Sequence, residues 1–389
     1  MEKIQLKKTD FQDVKKNNRK LVLSCLSDGC RSRSDIVKIS GLSKAAISLI
    51  TNEFIEEGCI IEKQILPSGG NVGRPSIELE LVPDFCFFAG VTLFRKKSSI
   101  CVVNQCSELI DYTDFYTENF STADSLLECL WDELLKILNK NNIPQEKLMG
   151  IGVVAPAPFD NENGIILTPP NFPLFQNYNI KDYFKKKTDR PVFLDKNSVL
   201  LAITDAKLRN SKFNNSLFIF ASHDGIGAAI ITDNQTHKGF GYHSGELGHT
   251  SVEPEGPQCE CGNIGCLEKV LSSKYLEEKF GYSCSYAELV DLCYDGDKKA
   301  LSVLDYIASK LSFAIINAVN LIDLDAVIIH GTYNYRSEML FSKIESNVKK
   351  HSLISNVHPV EILPSLISPK DKISSSTSSI IKAYFDQKL

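Results

Sequence analysis

Apolar residues Leu21, Val22, Cys25 and Leu26 recur at helical spacing and stop at Asp28-Gly29, a turn signal. The stretch "SRSDIVKISG" predicts a second short helix from a Ser cap to Gly41. A third is predicted from "LSKAAISLITNEFIEEG", starting at Ser43 and ending at Gly58. The tight Gly41-Leu42-Ser43 link makes the last two a helix-turn-helix. After Gly58 the period changes to two, and "CIIEKQIL" and "SIELELV" flank "PSGGNVGRP" as the strands of a β-hairpin wing. Three helices followed by a wing predict a DNA-binding head over residues 1–83, against the plainer alternative of a small helical cap.

From residue 84 the pattern is that of an α/β protein. "FCFFAGVTLFRKKSSICVVNQ" reads as two buried strands and a turn, and "STADSLLECLWDELLKILNKNN" as an amphipathic helix with an N-cap. "LMGIGVVAPAPFD" is a buried strand running into a Pro-rich loop; "PVFLD", "SLFIFAS", "GAAIITDN" and "AVIIHG" add strands between helical stretches such as "ALSVLDYIASKLSFAIINAVNLI". Some 300 residues of alternating strands and helices imply two lobes and a cleft. The first lobe is expected over about 84–198 plus a C-terminal helix, the second over about 199–370.

Composition narrows the class. With 43% hydrophobic and 23% charged residues the chain is an ordinary globular protein. No apolar run is read as long enough to span a bilayer, and the N-terminus lacks the apolar core of a secretory signal, so a cytoplasmic protein without membrane association is expected. Residues 1–83 hold 13 Lys and Arg against 11 Asp and Glu, the remainder 30 against 37; the first fifty alone hold 11 against 5. Any polyanion-binding surface therefore lies at the head. In the third helix Ser43, Lys44, Ala45 and Ser48 are the candidates for base edges, while Ile47, Ile50 and Phe54 face the core. Arg74, at the wing tip, is the candidate for phosphate or the minor groove.

Twelve cysteines in a reducing compartment are thiols or metal ligands rather than disulfides. Most stand singly in apolar surroundings, but His249, Cys259, Cys261 and Cys266 fall within eighteen positions. They supply the Cys₃His set that zinc accepts in a closed tetrahedron, one ion per chain and structural rather than catalytic. Gly262 and Gly265 allow the turn between the last two thiols.

The segment "GELGHTSVEPEGPQCECGNIGCLE" resembles the signature of the ROK family, which takes its name from repressors, unknown reading frames and sugar kinases. A helix-turn-helix head on such a body is similar to its xylose-operon and N-acetylglucosamine repressors. The likeness covers nearly the whole chain: "LSKAAISLITNEFIEEG" and "GRP" in the head, then "PPNFP", "PVFLD", "GELGH" and "CECGNIGCLE" in family order. It implies a two-lobed actin-like, ribonuclease-H-like body and a sugar site at Asn171, Glu246, His249 and Glu268, with His249 serving metal and sugar through different ring nitrogens.

Against the family's kinases the chain shows departures. A gapless match on "PVFLD" turns the Asn-Asp pair into Lys196-Asn197, so Asn197 keeps a place in the sugar site but cannot act as a base; a register shifted by two would put Asp195 there. The first phosphate motif, D-x-G-x-T, reads "TLFRK"; the second carries Asp224 beside Gly225; the late Gly-Gly reads His330-Gly331. The expectation is a sugar-responsive transcriptional regulator, most simply a repressor, that binds palindromic operator DNA as a homodimer or homotetramer and is not an enzyme. The alternatives are a carbohydrate kinase with an atypical nucleotide site and an auxiliary DNA-binding head, and a regulator that has lost its ligand, with Lys196 filling the sugar pocket, and responds to a partner protein.

Overall fold

The computed structural model describes residues 11–27, 29, 32–65, 76–169, 172–222, 225–354 and 357–386; Arg74, Asn171 and Asp224 lie outside them. The head consists of α1 (Phe11–Ser27), α2 (Arg33–Ser40) and α3 (Lys44–Glu56), then strands β1 (Ile60–Ile65) and β2 (Ser76–Leu81), paired antiparallel. Ser32 caps α2 by accepting the Asp35 N–H, and Gly41 ends it in the left-handed conformation, φ 68°. The turn is thus closed by a side-chain oxygen at one end and a residue without a Cβ penalty at the other. Arg33 then joins three elements, its guanidinium donating to Thr51, Asn52 and Glu62.

The first lobe comprises β3 (Phe87–Thr92), β4 (Lys97–Asn104), β5 (Leu109–Tyr116), α4 (Ala123–Lys140), β6 (Leu148–Val154), a short ribbon of β7 (Phe159–Asp160), β8 (Ile165–Ile166) and β9 (Tyr178–Asn179), α5 (Ile180–Lys185) and β10 (Val192–Asp195). Its sheet has the order β10-β6-β3-β4-β5. After α6 (Asn197–Leu208), the second lobe adds β11 (Ser216–Ser222), β12 (Gly225–Thr232), β13 (Gln235–Thr236), α7 (Leu267–Val270), α8 (Ser273–Phe280), α9 (Tyr286–Tyr294), α10 (Lys298–Ile322), β14 (Ala326–Gly331), α11 (Glu338–His351) and β15 (Glu361–Pro364), with the order β13-β12-β11-β14-β15. The chain returns through α12 (Pro369–Ser374) to α13 (Ser378–Phe385). Two sheets flanked by helices form the two-lobed actin-like, ribonuclease-H-like body.

Strand alternation divides the first sheet between two cores. Phe87, Ala89 and Val91 face α4, where Leu126, Leu127, Leu130 and Leu134 cover them. Phe88 and Val103 point the other way, into one cluster with Val22, Ile47 and Phe54 of the head and Ile380, Ile381 and Phe385 of α13. Polar groups join the same parts. Buried Gln105 donates to the Cys59 carbonyl, Lys20 pairs with Asp386 at 3.3 Å, and the Phe88 and Tyr384 rings meet edge to face at 5.3 Å. The C-terminal segment reaches this position across glycines: Gly90 and Gly152 are neighbours in the register, and a Cβ on either would stand 2.1 Å from Ser376.

Helix α10 corrects the reading of apolar runs, since Lys298–Ile322 is long and apolar enough to cross a membrane by length and composition. Its Val303, Ile307, Leu311 and Ile315 are buried in the second lobe's core instead. β5 escapes the sequence pattern because Tyr112 and Tyr116 place aromatic rings on its exposed face, which blurs the alternation of apolar and polar residues at this sheet edge.

The loop between β13 and α7 is tied to this lobe through Glu253. Lys279 lies 2.8 Å and Lys310 2.9 Å from its carboxylate, and Tyr275 and Tyr306 donate to it. Burial alone would raise the Glu253 pKa, but these donors outweigh it and hold it down at about 2, against an ordinary 4.5. A pKa depressed on folding contributes stability that is complete above the unfolded value and lost as pH falls through the folded one. Glu253→Gln should therefore lower stability near neutral pH by about 2 kcal/mol. The gap to wild type should shrink as pH falls from about 5 to about 3. Urea unfolding at several pH values checks this, and a gap independent of pH contradicts it.

Candidate metal centre and interlobe cleft

Strands β3, β6 and β10 run parallel, so their C-terminal ends open on one edge of the sheet, where α/β proteins take their ligands. From these ends come Arg95, the Ala155–Ala157 turn and Lys196. The β12 hairpin and the short turn Leu247–His249 close the cleft from the second lobe, leaving a cavity of about 230 Å³. Gly248 makes this closure possible: a Cβ there would stand 2.0 Å from the Ile226 carbonyl, so the backbones touch and Glu246 and His249 are set on either side.

Of the sugar-site candidates, Asn197, Glu246, His249 and Glu268 all line this cleft, and Asn171 lies outside the described residues. Asn197 opens α6, and its Nδ2 is buried without a partner. Asp195 does not line the cleft. Its carboxylate accepts from Ser379 at 2.7 Å and from the Lys196 N–H at 2.8 Å, while desolvation raises its pKa. Glu268 accepts the Ile226 N–H at 2.8 Å, and its carboxylate lies where a Cβ on Gly225 would be, which fixes it against the hairpin turn. Lys196 is only 6% exposed and donates to the Glu246 carboxylate and, at 3.2 Å, to the Ser244 carbonyl. His330 is stacked against Phe218 and Phe220 of the neighbouring strand, and burial pushes its pKa down to about 4, so it is neutral near pH 7.

The ligand atoms of His249, Cys259, Cys261 and Cys266 all lie within 4.8 Å of one another and could hold a metal ion. Cys259 Sγ is 3.8 Å from His249 Nδ1, and Cys261 Sγ is 3.6 Å from Cys266 Sγ. Two left-handed glycines, Gly262 at φ 94° and Gly265 at φ 67°, bend the loop, and Cys266 leads directly into α7, which carries Glu268. Burial and the neighbouring thiols push Cys266 up to about 12. Only a cation bound among them would let all three ionise together.

In the head, Ser43, Lys44, Ala45 and Ser48 are all exposed, and Ile47, Ile50 and Phe54 are buried. The Ser43 hydroxyl accepts the Ala46 N–H and so caps the helix. Arg74 falls outside the described residues. Sequence reading missed Leu49, 63% exposed on the same helix. It also missed two cations of the cleft: Arg95, visible only as a departure within "TLFRK", and Lys372, which α12 delivers from far along the chain with no local signal.

The structure is thus a two-lobed actin-like body with an interlobe cleft, a Cys₃His cluster and a winged helix-turn-helix head. Residues 88–372 match the ROK family, and the chain belongs to it. It is 26% identical over 367 residues to a xylose repressor of Caldicellulosiruptor bescii, covering 90% of this chain and 91% of that protein. Identity to the DNA-binding transcriptional dual regulator NagC of Escherichia coli K12 is also 26%, over 335 residues, 83% of this chain and 82% of that one. Among solved structures, a ROK family transcriptional regulator described as a homolog of the E. coli MLC protein superposes with a TM-score of 0.80 at 24% identity, covering 96% of this chain and 97% of that one.

The contact at Gly248 yields a test. Gly248→Ala should lower stability by about 1–3 kcal/mol, the range for overpacking. It should also disturb Glu246 and His249 together. An unchanged denaturation midpoint would show that the turn and hairpin are not in close contact.

Proposed function

We propose that this chain is a sugar-responsive transcriptional repressor acting in the cytoplasm on a palindromic operator, with a kinase-like body that binds a ligand and catalyses nothing. The observation that carries the reading is the packing of the head: its core is continuous with α13 and the first sheet, so the reading head and the cleft are parts of one packed unit. Relatives named xylose repressor and dual regulator NagC support it. Asn197, Glu246, His249 and Glu268, with Asn171, are the proposed sugar contacts, since carboxylates and amides satisfy sugar hydroxyls in pairs. Asn197 has a carboxamide where the family's base would stand, which supports a body without phosphoryl transfer.

The ligand would act by favouring one arrangement of the lobes. Ser379 of the C-terminal segment holds Asp195, the residue before Lys196, so movement at the cleft has a direct route to α13 and the head. One head reads one half-site, so a homodimer or homotetramer is required, and the ligand changes the fraction of molecules able to span both half-sites. Ser43, Lys44, Ala45, Ser48 and Arg74 are the proposed DNA contacts.

The proposed metal is zinc, one per chain and structural. Metal–sulfur bonds of about 2.3 Å and metal–nitrogen bonds of about 2.0–2.1 Å in a tetrahedron require S···S of about 3.8 Å and S···N of about 3.6 Å. The observed S···S of 3.6 Å and S···N of 3.8 Å are close to those values. With four protein ligands no position is left for a reactive water. His249 would keep its second ring nitrogen for the sugar.

Elemental analysis of protein purified without chelator should find about one zinc per chain. Cys261→Ser should lose it and unfold more easily; a metal-free, fully stable wild type would remove zinc from the proposal. On the chain's own upstream DNA, fluorescence anisotropy should show specific binding that weakens steeply with salt. Lys44→Ala should lower affinity by about 1–3 kcal/mol if Lys44 contacts a base, with discrimination lost at one position. Specific binding that no carbohydrate alters would leave a DNA-binding protein but overturn the sugar response.

A further inference from the structure

The geometry points to Leu49 as a specificity-determining residue of the head, one that reads the 5-methyl group of a thymine in the operator half-site. This deepens the proposed function and rests on its DNA-binding half. Leu49 is 63% exposed, and among the described residues it is the one large apolar side chain on the outward face of α3. Helical spacing sets Ala45, Ser48, Leu49 and Asn52 side by side at i, i+3, i+4 and i+7, all exposed, while Ile47, Ile50 and Phe54 turn inward and are buried. Leu49 therefore stands on the strip that carries the proposed DNA contacts, one turn beyond Ala45. Charge makes a polyanion the occupant of that strip. The first fifty residues hold 11 Lys and Arg against 5 Asp and Glu, and no carboxylate falls between Ser43 and Asn52. The acidic residues of α3 begin at Glu53, which Lys15 and Arg19 hold at 2.8 and 2.6 Å on the side of α1.

What a leucine can distinguish in the major groove follows from the base edges. Every pair presents donors and acceptors there, and the thymine methyl is the one apolar substituent among them. A leucine set against the amino group of adenine or cytosine strips water from a donor and returns no hydrogen bond, so it disfavours those bases as it favours thymine. The neighbours on the strip leave this contact to Leu49. Ala45 and Ser48 are short, and the Asn52 amide oxygen already accepts from Arg33 at 3.0 Å. Bidentate reading of adenine by Asn52 would have to share that oxygen with the guanidinium. The same Arg33 donates to Thr51 and, across the head, to Glu62 of β1, which ties this part of α3 to the wing and holds the strip in one orientation.

The test replaces thymine by uracil, which keeps O4 and lacks only the methyl. The probe is the chain's own upstream DNA, or a duplex that the full chain selects from a random pool, with each thymine of the bound site replaced singly and affinity read by fluorescence anisotropy. At one thymine per half-site, uracil should weaken wild type by roughly fourfold, the worth of one buried methyl group. Leu49→Ala should bind the thymine and uracil duplexes equally, with an unchanged thermal midpoint because the side chain is exposed. Lys44→Ala should bind both less tightly and keep the difference between them, which separates loss of the methyl contact from a general loss of affinity. Uracil without effect at every position, or an effect that survives in Leu49→Ala, overturns the inference while sequence-specific binding keeps the regulator reading; no sequence-specific binding by the full chain defeats both. Sedimentation of Leu49→Ala without DNA should match wild type. A changed oligomeric state would assign Leu49 to a contact between copies of the chain and overturn the inference.

Discussion

The approach of the Ser376 carbonyl to Gly152 determines how the parts of this molecule meet. A Cβ at Gly152 would stand 2.1 Å from that oxygen, and Gly90, its neighbour in the register, is equally close to the Ser376 side chain. Two adjacent glycines remove the side chains from one patch of the first sheet, so a backbone can lie directly on it. Laid there, the C-terminal segment brings Lys372 to the cleft at one end and places Ile380 and Phe385 among the residues of the head at the other. Interiors are close-packed, so a shift at such a contact is passed on rather than absorbed.

The cleft and the Cys₃His cluster share a similar economy of construction. His249 belongs to both, and Cys266 leads within two residues to Glu268, whose carboxylate is pressed against Gly225. An ion in the cluster would fix the start of α7 and with it the side chain that borders the cleft, which is how groups behind a ligand site set its shape. Glu253 lies on the intervening loop, and its two lysines and two tyrosines attach that loop to α8 and α10. Electrostatic anchoring on one side of the loop thus complements the thiol cluster on the other.

How far these features could be read from sequence depended on how local their causes are. The head was legible because Ser32, Gly41 and Ser43 act within one turn of their own positions. The Cys₃His cluster was legible because its donors fall close together in the chain. Strand β5 was not, since exposed Tyr112 and Tyr116 make both of its faces read as apolar although its burial alternates. Nor was the pairing of Lys196 with Glu246, which joins side chains fifty positions apart. Lys372 reaches the cleft only because the glycine patch admits the C-terminal segment, and no pattern near residue 372 records that.

The shared core beneath the head also bears on the order in which the protein is made. Val22, Ile47 and Phe54 are translated well before Ile380, Ile381 and Phe385, which complete their cluster from the far side of the two-lobed body. Until α13 is made the head therefore lacks part of its apolar packing, and a chain terminated before it keeps that face open to water. Full packing of the head thus waits for α13, by which point the two-lobed body between them has been made.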